Sequence, residues 1–136
     1  MSTQRTLVLL KPDTVRRGLV GNVLSRFEAK GLTVVALDLR TIDAAKADEH
    51  YAEHVEKDFS PPLRDFVTSG PLVACVLEGD EAVEVVRAIN GATDGRKAAP
   101  GTIRGDLSLS NRENLVHGSD SPESATREIG IWFPEL

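Results

Sequence analysis

A chain of 136 residues, 40% hydrophobic and 27% charged, has the make-up of one folded domain, residues 1–136, and excludes a disordered or fibrous chain. It is long enough to bury a core without a disulfide or metal staple, and its single cysteine, Cys75, lies in an apolar run and reads as a small buried hydrophobe. A net charge of -5 excludes broad attraction to nucleic acid or anionic membrane, so any phosphate binding must rest on a few basic side chains focused in a cleft.

The opening Met-Ser-Thr-Gln-Arg lacks a signal peptide's apolar stretch, and no run approaches the ~18 residues of a membrane span, so a cytoplasmic protein is expected. Thr6–Leu10 is continuously apolar and predicts a strand buried on both faces, broken by Lys11-Pro12-Asp13. Val20, Val23, Leu24 and Phe27 recur at helical spacing, and Gly31 stops that helix. Thr33–Thr41 predicts a second strand, in which Val35, Leu37 and Leu39 alternate with Asp38 and Arg40 and leave one face partly wet.

Asp43 caps a predicted helix running to about His54. Pro61-Pro62 resets the chain, and a short helix through Leu63, Phe66 and Val67 ends at Gly70-Pro71. Leu72–Leu77 reads as the third strand. Asp80 is placed to cap a helix with the stripe Ala82, Val85, Val86 and Ile89, which Gly91 ends. Residues 91–113 read as one long loop, a length that usually marks function. Asn114–His117 predicts the fourth strand, and Ser121-Pro122 starts a last helix with Ala125, Ile129 and Trp132 inward. This order contains two split strand–helix–strand units. It predicts an α+β, ferredoxin-like βαββαβ sandwich: a four-stranded antiparallel sheet with helices on one face.

Few residues stand out chemically. Gly91–Lys97 has glycines and a lysine but not the spacing of a P-loop. His50 and His54 lie one turn apart beside Glu53, and a solvated helix face is the favoured reading over a metal site. His117 sits at a strand end, followed by Gly118, two hydroxyls and a carboxylate, where a backbone turn lets a ligand approach. On that local pattern alone, a structural histidine is still the favoured reading.

The wider segment changes this. Asn114-Leu-Val-His117-Gly-Ser-Asp120-Ser resembles the active-site signature of the nucleoside diphosphate kinases, Asn-x-x-His-Gly-Ser-Asp. Thr6-Leu-Val-Leu-Leu-Lys11-Pro-Asp, Arg17-Gly-Leu-Val-Gly21, Arg26-Phe-Glu-Ala-Lys-Gly31, His50-Tyr51, Ser69-Gly-Pro71, Pro100-Gly-Thr-Ile-Arg-Gly-Asp106 and Trp132-Phe133 follow in the family's order and spacing. The resemblance covers essentially the whole chain. It implies ping-pong transfer: a nucleoside triphosphate, typically ATP, gives its terminal phosphate to His117, and a diphosphate then takes it. Neutral imidazole is a competent nucleophile near neutral pH, and the charge spread over the phosphoryl oxygens calls for fixed positive donors.

By the same resemblance, Lys11, Arg87 and Arg104 supply those donors, and Thr93 and Tyr51 add hydroxyls. Glu128 orients the histidine, Ser119 supports Glu128, and Asn114 contacts sugar or phosphates. Phe59 and Asn111 flank the base with Leu63 nearby. Asp120 reaches, through water, a Mg²⁺ held mostly by the nucleotide's phosphates. A homo-oligomer is implied, with a hexamer built from trimers expected. Three positions depart from the family pattern: Asn111 stands where relatives often carry an apolar residue, Ser60 replaces the second Phe of a Phe-Phe pair, and Gly95 replaces a proline in a loop that supports subunit contacts. The short C-terminus resembles bacterial, especially actinobacterial, members. A nucleotide-binding regulator or a phosphorelay carrier on the same fold are the competing readings. The first binds ATP without forming a phosphoenzyme, and the second takes phosphate only from a protein donor.

Overall fold

The computed structural model describes residues 3–51 and 60–136, apart from the side chains of residues 60–63. The elements run β1 (Thr3–Leu10), α1 (Pro12–Arg16), α2 (Val20–Lys30), β2 (Thr33–Arg40), α3 (Ala44–His50), α4 (Ser60–Val67), β3 (Leu72–Asp80), α5 (Ala82–Asn90), α6 (Ile103–Leu107), β4 (Val116–Gly118) and α7 (Pro122–Trp132). The sheet order is β2-β3-β1-β4, and every neighbouring pair is antiparallel. This is the ferredoxin-like arrangement that the two split units predict.

Successive side chains of a strand point to opposite faces, and β1 uses both. Val8 and Leu10 join Val73, Cys75 and Leu77 of β3 beneath Val23 and Phe27 of α2 and Val86 of α5. Leu7 and Leu9 join Ala74 and Val76 beneath Ala47 of α3, Val67 of α4 and Trp132 of α7. Helices therefore cover both faces, which corrects the expectation of one. The physical reason is in the strands themselves: β1 and β3 are apolar on both sides and cannot leave either side to water.

The edge strand β2 also departs from its pattern. A bulge between Val34 and Ala36 shifts the register, so Val34 packs on the first core and Val35 and Ala36 on the second. Leu37 and Leu39 lie past that bulge and are 53% and 62% exposed; Asp38 between them is exposed as well, so this end is wet on both sides.

Helix ends follow local chemistry, with three departures from the expected elements. Gly31 closes α2 in the left-handed region, the Asp43 side chain accepts from Lys46 N at 2.9 Å, and Ser121 accepts from Ser124 N at 3.1 Å. Asp80 does not cap α5. It ends the longer β3, while Glu81 takes the cap position at φ 48°, and Gln4 Oε1 accepts the Val83 N–H at 3.3 Å. The expected break after Lys11 folds as α1, with Pro12 at a position that needs no N–H. The expected loop 91–113 contains α6, whose cap Thr102 accepts from Gly105 N at 2.9 Å. Among the described residues, no helix is long and apolar enough to cross a membrane.

Candidate active site

The central strand β1 delivers Lys11 to its carboxyl end, and β4 beside it delivers His117, which pairs with Leu9. The two strands are tied where they leave the sheet. Leu115, at φ 75°, is a non-glycine residue in the left-handed region, a conformation that costs on the order of 1–3 kcal/mol. The turn after β1 holds it there. Lys11 N and Thr14 Oγ1 donate to its carbonyl at 2.8 and 2.6 Å, and Asp13 Oδ2 accepts its N–H at 3.1 Å. Residues more than a hundred positions apart thus fix Asn114 and Val116, the neighbours that aim the site.

His117 is half-buried. Its Nε2 lies 2.8 Å from Glu128 Oε1. Ser119 Oγ donates to the same oxygen at 2.8 Å. Burial alone raises a carboxyl pKa, but the bonds from His117 and Ser119 and the charge of Arg127 outweigh it and hold Glu128 below the usual carboxylate range. Glu128 therefore stays ionised and fixes the histidine with a proton on Nε2. Nδ1 has no hydrogen-bond partner among the described residues, and the ring lines two adjoining cavities of about 470 and 740 Å³.

The smaller cavity gathers cations. Lys11, Arg87 and Arg104 line it with Thr93, Asn114 and Asp120. Lys11 is 7% exposed and donates to Asn114 Oδ1 at 2.9 Å. Its burial and the neighbouring Arg104 lower its pKa to about 8, although Asp13 pulls the other way. Arg104 donates to the carbonyls of Gly91, Asn114 and Val116 at 2.8, 3.2 and 2.6 Å, so it braces two segments as well as charging the cleft. Burial, then Arg87, lowers it to about 10, which leaves it cationic at neutral pH. Arg87 and Asp120 are more open and meet at the mouth, 3.6 Å apart.

The larger cavity is lined by Lys11, Tyr51, Asn111 and Asn114, with Arg96 and Arg112 adding two more cations. Burial and the nearby Glu128 push the Tyr51 phenol up to about 12, so it remains a hydroxyl donor. Asn114 Nδ2 donates to the carbonyls of Thr93 and Asn111, each at 3.0 Å, joining the walls of both cavities. Phe59 and the side chain of Leu63 lie outside the described residues.

Two glycines serve packing here. Gly118 was expected to open the backbone for a ligand; a Cβ there would instead stand 2.9 Å from Asn90 Nδ2 and 3.1 Å from Val86 Cγ1, so its bareness lets β4 approach α5. A side chain on Gly95 would collide with the carbonyl and hydroxyl of Ser108, and its N–H donates to Ser110 O at 3.1 Å.

The expected residues His117, Lys11, Glu128, Ser119, Tyr51, Arg87, Thr93, Arg104, Asn111, Asn114 and Asp120 all border or support this one cleft. Sequence reasoning missed two others. Asp13 gave no signal, because its partner Leu115 is distant in the chain. His50 was assigned to a solvated face, yet it is 4% exposed and packs against His117. Its three-residue spacing from the buried Ala47 is the signal that could have found it.

Comparison with known proteins gives one consistent result. The family model described as "Nucleoside diphosphate kinase" matches residues 4–136. A nucleoside diphosphate kinase from a Nocardioides species is 82% identical over 97% of this chain and 98% of its own length. One from Mycobacteroides abscessus is 64% identical over 98% of this chain and 99% of its own. Among solved structures, a halophilic nucleoside diphosphate kinase from Halobacterium salinarum in complex with CDP superposes with a TM-score of 0.95 at 47% identity, covering 98% of this chain and 90% of that one.

Proposed function

The chain belongs to the nucleoside diphosphate kinase family, and from that premise we propose that it moves the terminal phosphate of a nucleoside triphosphate to a nucleoside diphosphate through a phosphohistidine on His117. One observation carries the choice of residue and atom. Glu128 occupies Nε2 at 2.8 Å, which leaves the Nδ1 lone pair as the nucleophile at the junction of the two cavities.

In the first half-reaction Nδ1 bonds to the terminal phosphorus, the bond to the bridging oxygen breaks, and the diphosphate leaves. The imidazole gains positive character, which the Glu128 carboxylate offsets through the Nε2 proton. Lys11, Arg87 and Arg104 stand ready to neutralise the phosphoryl oxygens, with Thr93 and Tyr51 offering hydroxyls. Asn114, held by Lys11 and by its own bonds to two backbone carbonyls, fixes the sugar end. The second half-reaction reverses these steps with another diphosphate. The larger cavity is the base end, with Asn111 as its polar wall; Phe59 and Leu63 are assigned to the base by the family resemblance alone.

The chain's carboxylates fit a metal that arrives with its nucleotide. Among the described residues, Asp120 is the one carboxylate lining the smaller cavity, with Arg87 beside it, which suits contact through water and not a protein cage. Mg²⁺ bound this way would neutralise phosphate charge. The remaining assignments are a single domain over 1–136, a cytoplasmic location, and a hexamer built from trimers. The exposed Leu37 and Leu39 on the sheet's edge support assembly, since an apolar edge strand is a liability in an isolated chain.

The test is incubation with ATP of wild type beside His117→Ala, followed by a mixture of diphosphates. An acid-labile phosphoprotein that hands its phosphate on is expected only for wild type. A phosphorylated His117→Ala, or an unlabelled wild type, overturns the assignment.

A further inference from the structure

Behind His117 lies a buried imidazole, His50, that the proposed reaction does not use. The rings of His50 and His117 meet edge to face, with centroids 4.6 Å apart and planes at 81°. On its other side, Trp132 Nε1 donates to His50 Nδ1 at 3.0 Å. An indole N–H can only donate, so Nδ1 must present a lone pair, and the proton of a neutral His50 sits on Nε2.

We propose that Trp132 locks His50 as a neutral, Nε2-protonated imidazole and that His50 in this state is a positioning residue that backs the ring of His117. The proposal rests on the assignment of His117 as the phosphate carrier.

Three observations support it. First, the lock has no slack: a proton on Nδ1 would set N–H against N–H inside a site where His50 is 4% exposed. Second, the groups facing His50 favour the same state. His117 on β4, Arg127 on α7 and Lys11 after β1 all disfavour a further cation, while Tyr51 stays neutral and Glu128 is engaged by His117 and Ser119. Burial first, and then these charges, hold His50 well below the ordinary histidine range. Third, the lock shuts out a competing use of the site. Nitrogen and oxygen ligand atoms of His50, His117 and Glu128 lie within 4.8 Å of one another, a spacing that could chelate a transition metal. A metal on Nε2 of His50 would force its proton to Nδ1, against Trp132.

The function of the lock follows from what His117 becomes. Its ring gains positive character as phosphate is transferred, and a cationic neighbour at 4.6 Å would oppose that change and weaken the nucleophile. A neutral neighbour holds the ring plane without that opposition.

The experiment combines spectroscopy with pH-dependent kinetics on the full chain. Nitrogen-15 NMR of the wild-type histidine side chains should show His50 protonated at Nε2 alone and not titrating between about pH 5.5 and about pH 8.5. In Trp132→Phe, Nδ1 is released and the smaller ring leaves room for water beside it, which relieves the burial that keeps His50 neutral. The kcat measured at about pH 6, relative to about pH 8, should fall roughly tenfold below the wild-type ratio, with little change in KM for ATP. In Trp132→Phe with His50→Gln, a side chain that cannot take a proton replaces the imidazole, and the wild-type ratio should return. A titrating wild-type His50, an unaltered ratio in Trp132→Phe, or no recovery in the double variant each overturns the proposal. The NMR result is independent of turnover, so a phosphorylated His117→Ala would sink the carrier assignment and leave the His50 tautomer readable by itself.

Discussion

Lys11 is both the least solvated cation of the cleft and the one whose charge is most easily lost. The fold lowers its pKa from 10.5 to about 8, so between those values the folded protein binds fewer protons than the unfolded chain. Stability therefore rises as pH climbs through that window, because the burial of a charge is relieved. Under the proposed mechanism catalysis runs the other way: the ammonium assigned to the phosphates disappears, and kcat/KM of the free enzyme should fall as pH rises through about 8. Lys11→Met should reduce kcat/KM by about 10²–10³-fold at neutral pH, as for loss of one charge-stabilising donor, and should remove the alkaline gain in stability. Steady-state kinetics and thermal melts over the same pH series check both signs. A melting temperature that drops from about pH 8 to about pH 10 in wild type but not in Lys11→Met would contradict the burial argument.

At the scale of the elements, the loop over residues 91–96 depends on a contact that only glycine permits. Gly95 rests on Ser108, whose hydroxyl donates to Glu113 O at 2.9 Å and accepts from Ser110 N at 3.2 Å. Gly95→Ala has no room and should lift the loop that carries Thr93. The expected cost is about 1–3 kcal/mol in stability, with KM for nucleotide raised more than kcat is lowered. Denaturant unfolding and initial-rate kinetics measure the two effects, and a fully stable variant with unchanged KM would deny that this contact supports the cleft.

Much of this level could be read from the chain. The runs Thr6–Leu10 and Leu72–Leu77, the caps Asp43 and Ser121 and the stop at Gly31 are set by periodicity and local hydrogen bonding, and they fold as read. The signature around His117 points to the cleft where Lys11, Arg87, Arg104 and Asn114 also gather. What escaped was non-local. The β2 bulge depends on pairing with β3, α6 is held by packing of Gly105 on Ala99, and the burial of His50 depends on Trp132, 82 positions away. Asp80 misled for a related reason: an aspartate before a helical stripe fits a cap, but β3 pairs as far as Thr3 and takes that residue into the sheet.

For the whole molecule, the scattered cations of an acidic chain come together only when both cores are complete. The edge strand then gives the clearest test of assembly. Leu37 and Leu39 are 53% and 62% exposed in the single chain. Leu39→Glu should put a charge into any contact made there, lower the mass seen by sedimentation, and reduce the melting temperature without disturbing the cores of the subunit. A variant that sediments as wild type would show that assembly does not use this edge.

The two-faced β1 has a consequence for how the chain finds its structure. Sliding a strand by one residue normally exchanges its oily and wet sides, and that penalty keeps it in step with its neighbours. In β1 the exchange would only swap Leu7 and Leu9 for Val8 and Leu10, all fully buried, so the cores distinguish poorly between the right alignment and its shifted copy. The discrimination falls to polar groups at the cleft end: Ser119 Oγ accepting from Leu7 N at 3.4 Å, Ser119 N donating to Leu7 O at 3.2 Å, and Lys11 donating to Asn114 at 2.9 Å. Residues assigned to the proposed site thus also act as the proofreaders of strand alignment, and their replacement should surface as slow or mis-stepped refolding as well as lost turnover.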